Sequence, residues 1–396
     1  MLDAVEEIRA FNAGRDPERL VLKFRNMRSD PFVFLRATAH LFYRRLPELP
    51  DSPAVWCCGD LHLQNFGSYK GDNRLVYFDL NDFDEGALAP AHWELVRFLT
   101  SVHAGAPSLG VKRKEAAALC GDFLDAYRER LVAGKALWVE RDTASGLVHQ
   151  LLDGLRKRER AAFLDGRTVR KGKKRLIRLD NGKALPVTEK QRERIAQFMA
   201  GVARTRDDPA FYEVLDVARR IAGNGSLGVD RFVILVRGKG SPDGHYLLDL
   251  KEALPSALLP VLKTPQPAWK SEAARVVAVQ RRMQAVSMAF LLPERLGKRA
   301  YLLRELQPTE DRVTLDAARS GLPALREAVA TMGHIVASAQ LRSSGRDGSA
   351  IADQLIEFGA ARWRKSLLAA AEASAKQLRA DWKTFCAAYD DGVFTP

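Results

Sequence analysis

The sequence predicts a helix-rich α+β protein of two lobes, and three observations lead there. Apolar residues recur at helical intervals through most of the 396 residues. A strand-rich stretch is confined to residues 221–306, and one short strand-loop-strand segment, from Ala54 to Phe83, interrupts the early helices. With 46% hydrophobic residues the chain can bury one large core or two ordinary ones.

Residues 1–50 read as N-terminal helices, broken at Ser29-Asp30-Pro31 before the apolar run from Phe32 to Tyr43. Residues 51–220 read as the larger lobe. Its strands, Ala54 to Cys58 and Leu75 to Phe78, are followed by helix over 91–155 and 188–220, the second entered through the capping box Thr188-Glu189-Lys190-Gln191. Between them lies an insert, 154–187, expected to end in a hairpin of Arg175–Leu179 and Lys183–Val187 around Asp180-Asn181-Gly182. Residues 221–310 form the sheet module, with strands Arg231–Val236, Tyr246–Leu250 and Arg299–Leu306 and a helix around 270–292. Residues 311–396 are helical, apart from the loop Ser343–Gly348.

The 62 Lys and Arg against 49 Asp and Glu give a formal charge of +13, which favours acidic partners without choosing among them. Much of the excess lies between Arg156 and Arg178, where few acids and almost no aromatics intervene. This segment reads as a solvated insert or as a docking surface for a phosphate-rich or other acidic partner, with little to support single-strand stacking. No run approaches the roughly 20 apolar residues of a membrane span. The start lacks a basic region followed by an apolar one, so a cytoplasmic, unprocessed protein is expected. Cys57, Cys58, Cys120 and Cys386 have no C-x-x-C spacing and read as buried thiols.

Two constellations carry chemistry. In the first half, Gly59-Asp60-Leu61-His62-Leu63-Gln64-Asn65 precedes Phe78-Asp79-Leu80-Asn81-Asp82-Phe83-Asp84-Glu85. Asp60 and Asn65 are spaced like the Asp and Asn of a kinase catalytic loop, and Asp79 falls where the metal-binding Asp of D-F-G would come. In the second half, Gly223-Asn224-Gly225-Ser226-Leu227-Gly228 opens a strand rather than a helix, which favours a phosphate-covering hairpin over a dinucleotide fingerprint. Lys251, after the next strand, stands like the lysine of V-A-I-K. Glu272 is the first candidate for its partner glutamate, with Gln280 and Gln284 competing for the inward position.

The Gly59-to-Asn65 loop, Asp79 and the following Trp93-Glu94-Leu95 resemble the aminoglycoside phosphotransferase and choline kinase branch of the protein-kinase-like superfamily. Together with Met27–Arg36, Asn81–Glu85 and Gly223–Ala253, they also resemble the bacterial DUF2252 family, over most of the chain. The resemblance implies a circularly permuted, protein-kinase-like two-lobed fold with the catalytic lobe first. It implies ATP and Mg2+ as cofactors, Asp60 as the catalytic group, Asn65, Asp79 and Asp82 as metal ligands, and His62 as a structural loop residue. Gly223, Gly225, Ser226, Gly228, Lys251 and Glu272 would serve the nucleotide. The acceptor, a small molecule or a protein, is left open, as is the choice between phosphoryl and nucleotidyl transfer.

Such a fold requires Asp79 and Lys251 to face each other across one cleft, with the glycine turn above it and Asp60 and Asn65 on its floor. It also requires the helix Leu325–Leu341 to end near Trp56. Two other readings stand beside it: a metal-dependent phosphohydrolase using Asp60, His62, Asp79, Asp82 and Asp84, and a non-catalytic nucleotide- or nucleic-acid-binding protein.

Overall fold

The computed structural model describes residues 2–172, 174–180, 182–307 and 311–394. Four helices begin the chain: α1 (Ala4–Asn12), α2 (Pro17–Ser29), α3 (Pro31–Ala37) and α4 (Ala39–Arg44). Asp3, Asp16 and Asp30 accept hydrogen bonds from first-turn amides of α1, α2 and α3, and proline opens α2 and α3, so capping sets where these helices start. Next come β1 (Ala54–Cys57), β2 (Phe66–Lys70), β3 (Val76–Leu80) and β4 (Ala87–Pro90), with β1 antiparallel to β4 and β2 to β3.

Helices α5 (Ala91–Leu109), α6 (Arg113–Ala133), α7 (Gly146–Arg156) and α8 (Arg160–Asp165) follow, and then the hairpin β5 (Thr168–Lys171) and β6 (Lys174–Ile177). After β7 (Ala184–Leu185), α9 (Glu189–Ala203) and a short 3-10 turn come β8 (Val214–Arg220), β9 (Arg231–Val236), β10 (Tyr246–Glu252), α10 (Glu272–Met283), β11 (Leu292–Leu296) and β12 (Arg299–Glu305). Helices α11 (Ala317–Ser320), α12 (Leu322–Ser343), α13 (Ala352–Ala360) and α14 (Arg364–Asp390) end the chain. The fold is α+β.

Strands β7 to β12 form one antiparallel sheet in the order β11-β12-β10-β9-β8-β7. Its period-two alternation separates two chemistries. Phe232, Ile234, Leu248, Leu250, Tyr301 and Leu303 face α9 and pack on Ile195 and Met199. The other face carries Val233, Leu235 and Leu247, covered by Leu164, Ile177 and Ala184, and, alternating with the first set, Arg231, Asp249, Lys251 and Arg304. The main core joins α3, β1, α5 and α6 to α12 and α14, from opposite ends of the chain. Trp56 donates from Nε1 to the Arg346 carbonyl at 3.0 Å, and Ala350 N to the Ala54 carbonyl at 2.8 Å, so the end of α12 lies beside the start of β1, as expected.

Several expectations need correction. Part of the helix expected over 188–220 is β8, because antiparallel pairing with β9 outweighs the helical propensity of Leu215, Ala218 and Arg219. Strand β11 likewise begins at the end of the helix expected over 270–292. The expected hairpin does not form: β6 pairs with β5, and β7 joins β8 in the main sheet. Asn181 of the expected turn and Lys173 of the basic run lie outside the described residues.

The basic segment is not simply a solvated arm, since Leu164 and Ile177 pack on the sheet and Arg175 is buried against Asp165 and Asp243. Cys57, Cys58 and Cys120 are buried free thiols, and Cys386 is partly exposed. No described helix is long and apolar enough to cross a membrane.

Candidate active site

Strand β1 delivers the chain to a turn at Cys58-Gly59-Asp60, held by two residues one turn apart on α5. Glu94, fully buried, accepts from Cys58 N at 2.7 Å and Gly59 N at 3.2 Å through Oε1. Arg97, also fully buried, donates to Asp60 Oδ1 from Nε at 3.0 Å and from Nη2 at 2.5 Å. Among the described residues no hydrogen-bond donor reaches Asp60 Oδ2. Burial raises the Asp60 pKa, and Arg97 opposes the rise. Gly59 adopts a φ of +86°, and a Cβ there would strike the Glu85 backbone, so only glycine fits the turn.

Asn65 donates from Nδ2 to the Asp60 carbonyl at 2.6 Å, closing the loop from inside. His62 accepts from Gln64 N at Nδ1, while Arg36 Nε lies 3.2 Å from its Nε2; it holds the loop. Burial, and then Arg36, keep the His62 pKa well below its ordinary value.

Opposite this loop, β8 and β9 are joined by the turn containing Gly223, Gly225, Ser226 and Gly228. Arg15 donates to the Gly225 carbonyl at 2.9 Å, Lys23 to the same carbonyl at 3.2 Å, and Arg19 to the Val229 carbonyl at 2.7 Å, so the N-terminal helices grip the turn by its carbonyls. Gly225 packs so tightly that a Cβ would lie 2.9 Å from the Arg36 carbonyl. Ser226 turns its hydroxyl back to the Ala222 carbonyl, whereas Asn224 accepts from Asn26 Nδ2 at 3.1 Å through Oδ1, and its own Nδ2 is buried with no partner among the described residues.

Lys251 on β10 forms an ion pair with Asp84, not with Glu272. Glu272 sits in the first turn of α10 and binds Arg275 at 2.7 Å, and Arg275 ties α10 to the Asp84, Gly86 and Leu254 carbonyls. Gln280 and Gln284 bond to each other, and Gln284 also donates to the Leu80 carbonyl.

The two sides enclose a cleft of about 1290 Å3, lined by Asp60, His62, Asp82, Asp84 and Glu85 on one side and by Gly223, Gly225, Ser226, Gly228, Arg231 and Lys251 on the other. Asp79 does not line it. Its Oδ1 accepts from Leu80 N, and its Oδ2 from Ala285 N and Arg342 Nη2, both at 3.1 Å; it is a buried structural carboxylate. The requirement that Asp79 face Lys251 is therefore replaced by Asp84 in contact with Lys251 and Asp82 nearby. Asn65 also lies behind the cleft wall rather than on it.

Burial alone would raise the Asp82 pKa, but Lys251, Arg304 and Arg231 hold it below the usual value. Glu85, which lines the cleft, accepts from Ala257 N, and burial pushes its pKa up to about 7. Among the described residues no three His, Cys, Asp or Glu side chains converge to hold a metal by themselves, so Asp60, His62, Asp79 and Asp82 do not make a protein-only metal centre. Asp82 and Asp84 do fit the usual magnesium pattern, in which one or two carboxylates share the ion with ligand phosphates.

Sequence reasoning missed Arg97, Glu94's hold on the turn, and the pairing of Asp84 with Lys251. A charged pair at i and i+3 within the apolar run of α5 was the available signal for the first two. Asp84 and Lys251 are 167 residues apart, and nothing local marks their contact.

The fold and cleft define an α+β protein in which a glycine-turn sheet faces an aspartate-bearing loop across a polar, highly charged cavity. The chain belongs to the family described as uncharacterized protein conserved in bacteria (DUF2252), which matches residues 15–388. No curated protein and no solved structure matches it.

Proposed function

We propose that the protein is an ATP- and magnesium-dependent phosphotransferase or nucleotidyltransferase with a permuted, protein-kinase-like arrangement. The observation that carries this reading is the meeting in one cleft of the Asp60 loop, Asp82 and Asp84 with the glycine turn and Lys251, from far-separated parts of the chain. A glycine turn between two antiparallel strands, a lysine on the third and a helix after it is the arrangement that grips a triphosphate in kinases.

In this reading Lys251 and the glycine turn hold phosphates, and Asp60 Oδ2 orients the acceptor hydroxyl or accepts its proton. Arg97 fixes Asp60 through its other oxygen. Asp82 and Asp84 would hold magnesium, which when bound offsets the phosphate charge. Glu94 positions the loop and touches no substrate.

Thermal melts with millimolar Mg-ATP test the binding half. A ligand present at a hundred times its Kd stabilises by about 2.7 kcal/mol, and Lys251→Met should abolish the shift. Asp60→Ala should retain nucleotide binding while losing turnover of labelled ATP against a cell extract. No shift in the native protein, or an equal loss of binding and turnover in Asp60→Ala, refutes the assignment.

A further inference from the structure

The cations around the cleft are not equivalent. Arg19 pairs with Asp16, Arg194 with Asp230, Arg299 with Glu252 and Lys251 with Asp84, while Arg220, Arg231 and Arg304 share Asp249. Arg36 and Arg312 line the same cavity, and among the described residues neither has a carboxylate within ion-pair distance. Arg36 donates from Nη1 to Gln64 Oε1 at 2.7 Å and directs Nε at His62 Nε2. Arg312 makes no hydrogen bond or ion pair with any described residue. Burial first, and Arg312 next, bring the Arg36 pKa down to about 10, against the opposing pull of Asp60 and Asp82.

The contact between Arg36 and His62 is itself a poor one. A neutral imidazole has one N–H and one lone pair, yet Gln64 N at 3.1 Å and Arg36 Nε at 3.2 Å each present a donor to a different ring nitrogen. One of the two contacts must set N–H against N–H. Arg36 therefore gives up little at Nε when it turns to a better acceptor, and guanidinium groups are the side chains best suited to a planar or tetrahedral oxyanion.

We infer that Arg36 and Arg312 form an oxyanion-binding site in the cleft, beside Asp60 and Asp82, for a phosphate or carboxylate group. Two sources share this chemistry: the terminal phosphate of a nucleotide and an acidic group on the acceptor. Naming those sources rests on the phosphotransferase reading, whereas the anion site itself does not.

Inorganic phosphate is the first probe, titrated calorimetrically into the full-length protein without nucleotide. Native protein should bind it, and Arg312→Gln and Arg36→Gln should each weaken binding by about tenfold or more, the scale of one lost charge-assisted contact. Arg36→Lys should fall between. Arg299→Gln, which removes a cleft cation already paired with Glu252, should bind phosphate like native protein, and because the titration contains no nucleotide, failure of the nucleotide reading leaves this test intact. Exclusion of phosphate by ATP but not by ADP assigns the site to the terminal phosphate. Simultaneous binding of ATP and phosphate assigns it to the acceptor. If native protein binds neither phosphate nor acetate, or if folded glutamine variants, judged by unchanged far-UV circular dichroism, bind phosphate as tightly as native protein, the site does not exist.

Discussion

Replacing Asp249 by Asn should cost the protein several kcal/mol and loosen the glycine turn together with the sheet. Asp249 is completely buried on β10. Arg231 grips it with two bonds, Nε to Oδ1 at 2.8 Å and Nη2 to Oδ2 at 2.6 Å, while Arg220 approaches Oδ2 at 3.0 Å and Arg304 at 3.5 Å. Asparagine keeps the shape but removes the charge that three buried guanidinium groups surround, and it turns an NH2 towards their donors. Breaking a buried pair from one side costs about 3–5 kcal/mol. With an unfolding entropy of about 2.1 cal/mol/K per residue, 4 kcal/mol spread over the chain lowers Tm by about 5 °C.

The acid limb provides a second readout for the same variant. Burial alone would raise the Asp249 pKa, but Arg220, Arg231 and Arg304 hold it well below the ordinary carboxylate value. A depressed folded-state pKa contributes stability above the unfolded value of about 4, and that contribution is lost as pH falls below it. Native protein should therefore lose stability more steeply than Asp249→Asn on acidification below pH 4. Because Arg231 Nη1 also donates to the Ala222 carbonyl at the entrance of the glycine turn, ligand affinity in the cleft should fall too. The exposed pair of Arg28 and Asp390 is the control: Asp390→Asn should leave the Tm nearly unchanged. Urea and thermal melts decide the matter, and an Asp249→Asn Tm within 1 °C of native would refute the reasoning.

Gly59→Ala should destabilise by about 2 kcal/mol or more, read as a fall in the urea midpoint, since the turn combines a left-handed backbone with close contact to the Glu85 main chain. In the basic segment, changing the exposed Arg170, Lys171 and Lys174 to Gln together should leave Tm nearly unchanged. Arg175→Gln alone should lower it, because Arg175 is buried with bonds to Asp165, Thr168, Asp243 and the Pro242 carbonyl. Equal effects of the two changes would show that burial does not separate them.

The parts of the fold governed by local rules were legible in the sequence. The turn from Gly223 to Gly228, the strand from Arg231 and the next strand ending at Lys251 follow from apolar runs bounded by glycine and turn residues. The helices follow from their periodicity and their Asp and Thr caps. Strand β8 was not legible, because its residues favour a helix and only the neighbouring β9 makes it a strand. Asp60 and Lys251 could be singled out from spacing alone. Asp79 was misplaced by the same spacing, because its burial depends on Arg342 of α12 and the Ala285 amide, which arrive from the far end of the sequence. A carboxylate's spacing in a loop does not say which side of the wall it will face, and here two residues further along the run, Asp82 and Asp84, face the cavity.

The packing of α12 and α14 against α5 and α6 also bears on the order in which a newly made chain can fold. Helices α5 and α6 cannot close their core as they emerge from a ribosome, because the residues that cover Phe98, Phe123 and Tyr127 belong to α12, α13 and α14, which are made later. The six-stranded sheet, by contrast, draws its strands from one continuous stretch, Ala184 to Glu305, with α9 inside that stretch to cover one face. A domain made early normally folds early during synthesis. Here the sheet made in the middle is the first unit with its partners at hand, and the helices made before it must wait, with apolar faces open, for those made after.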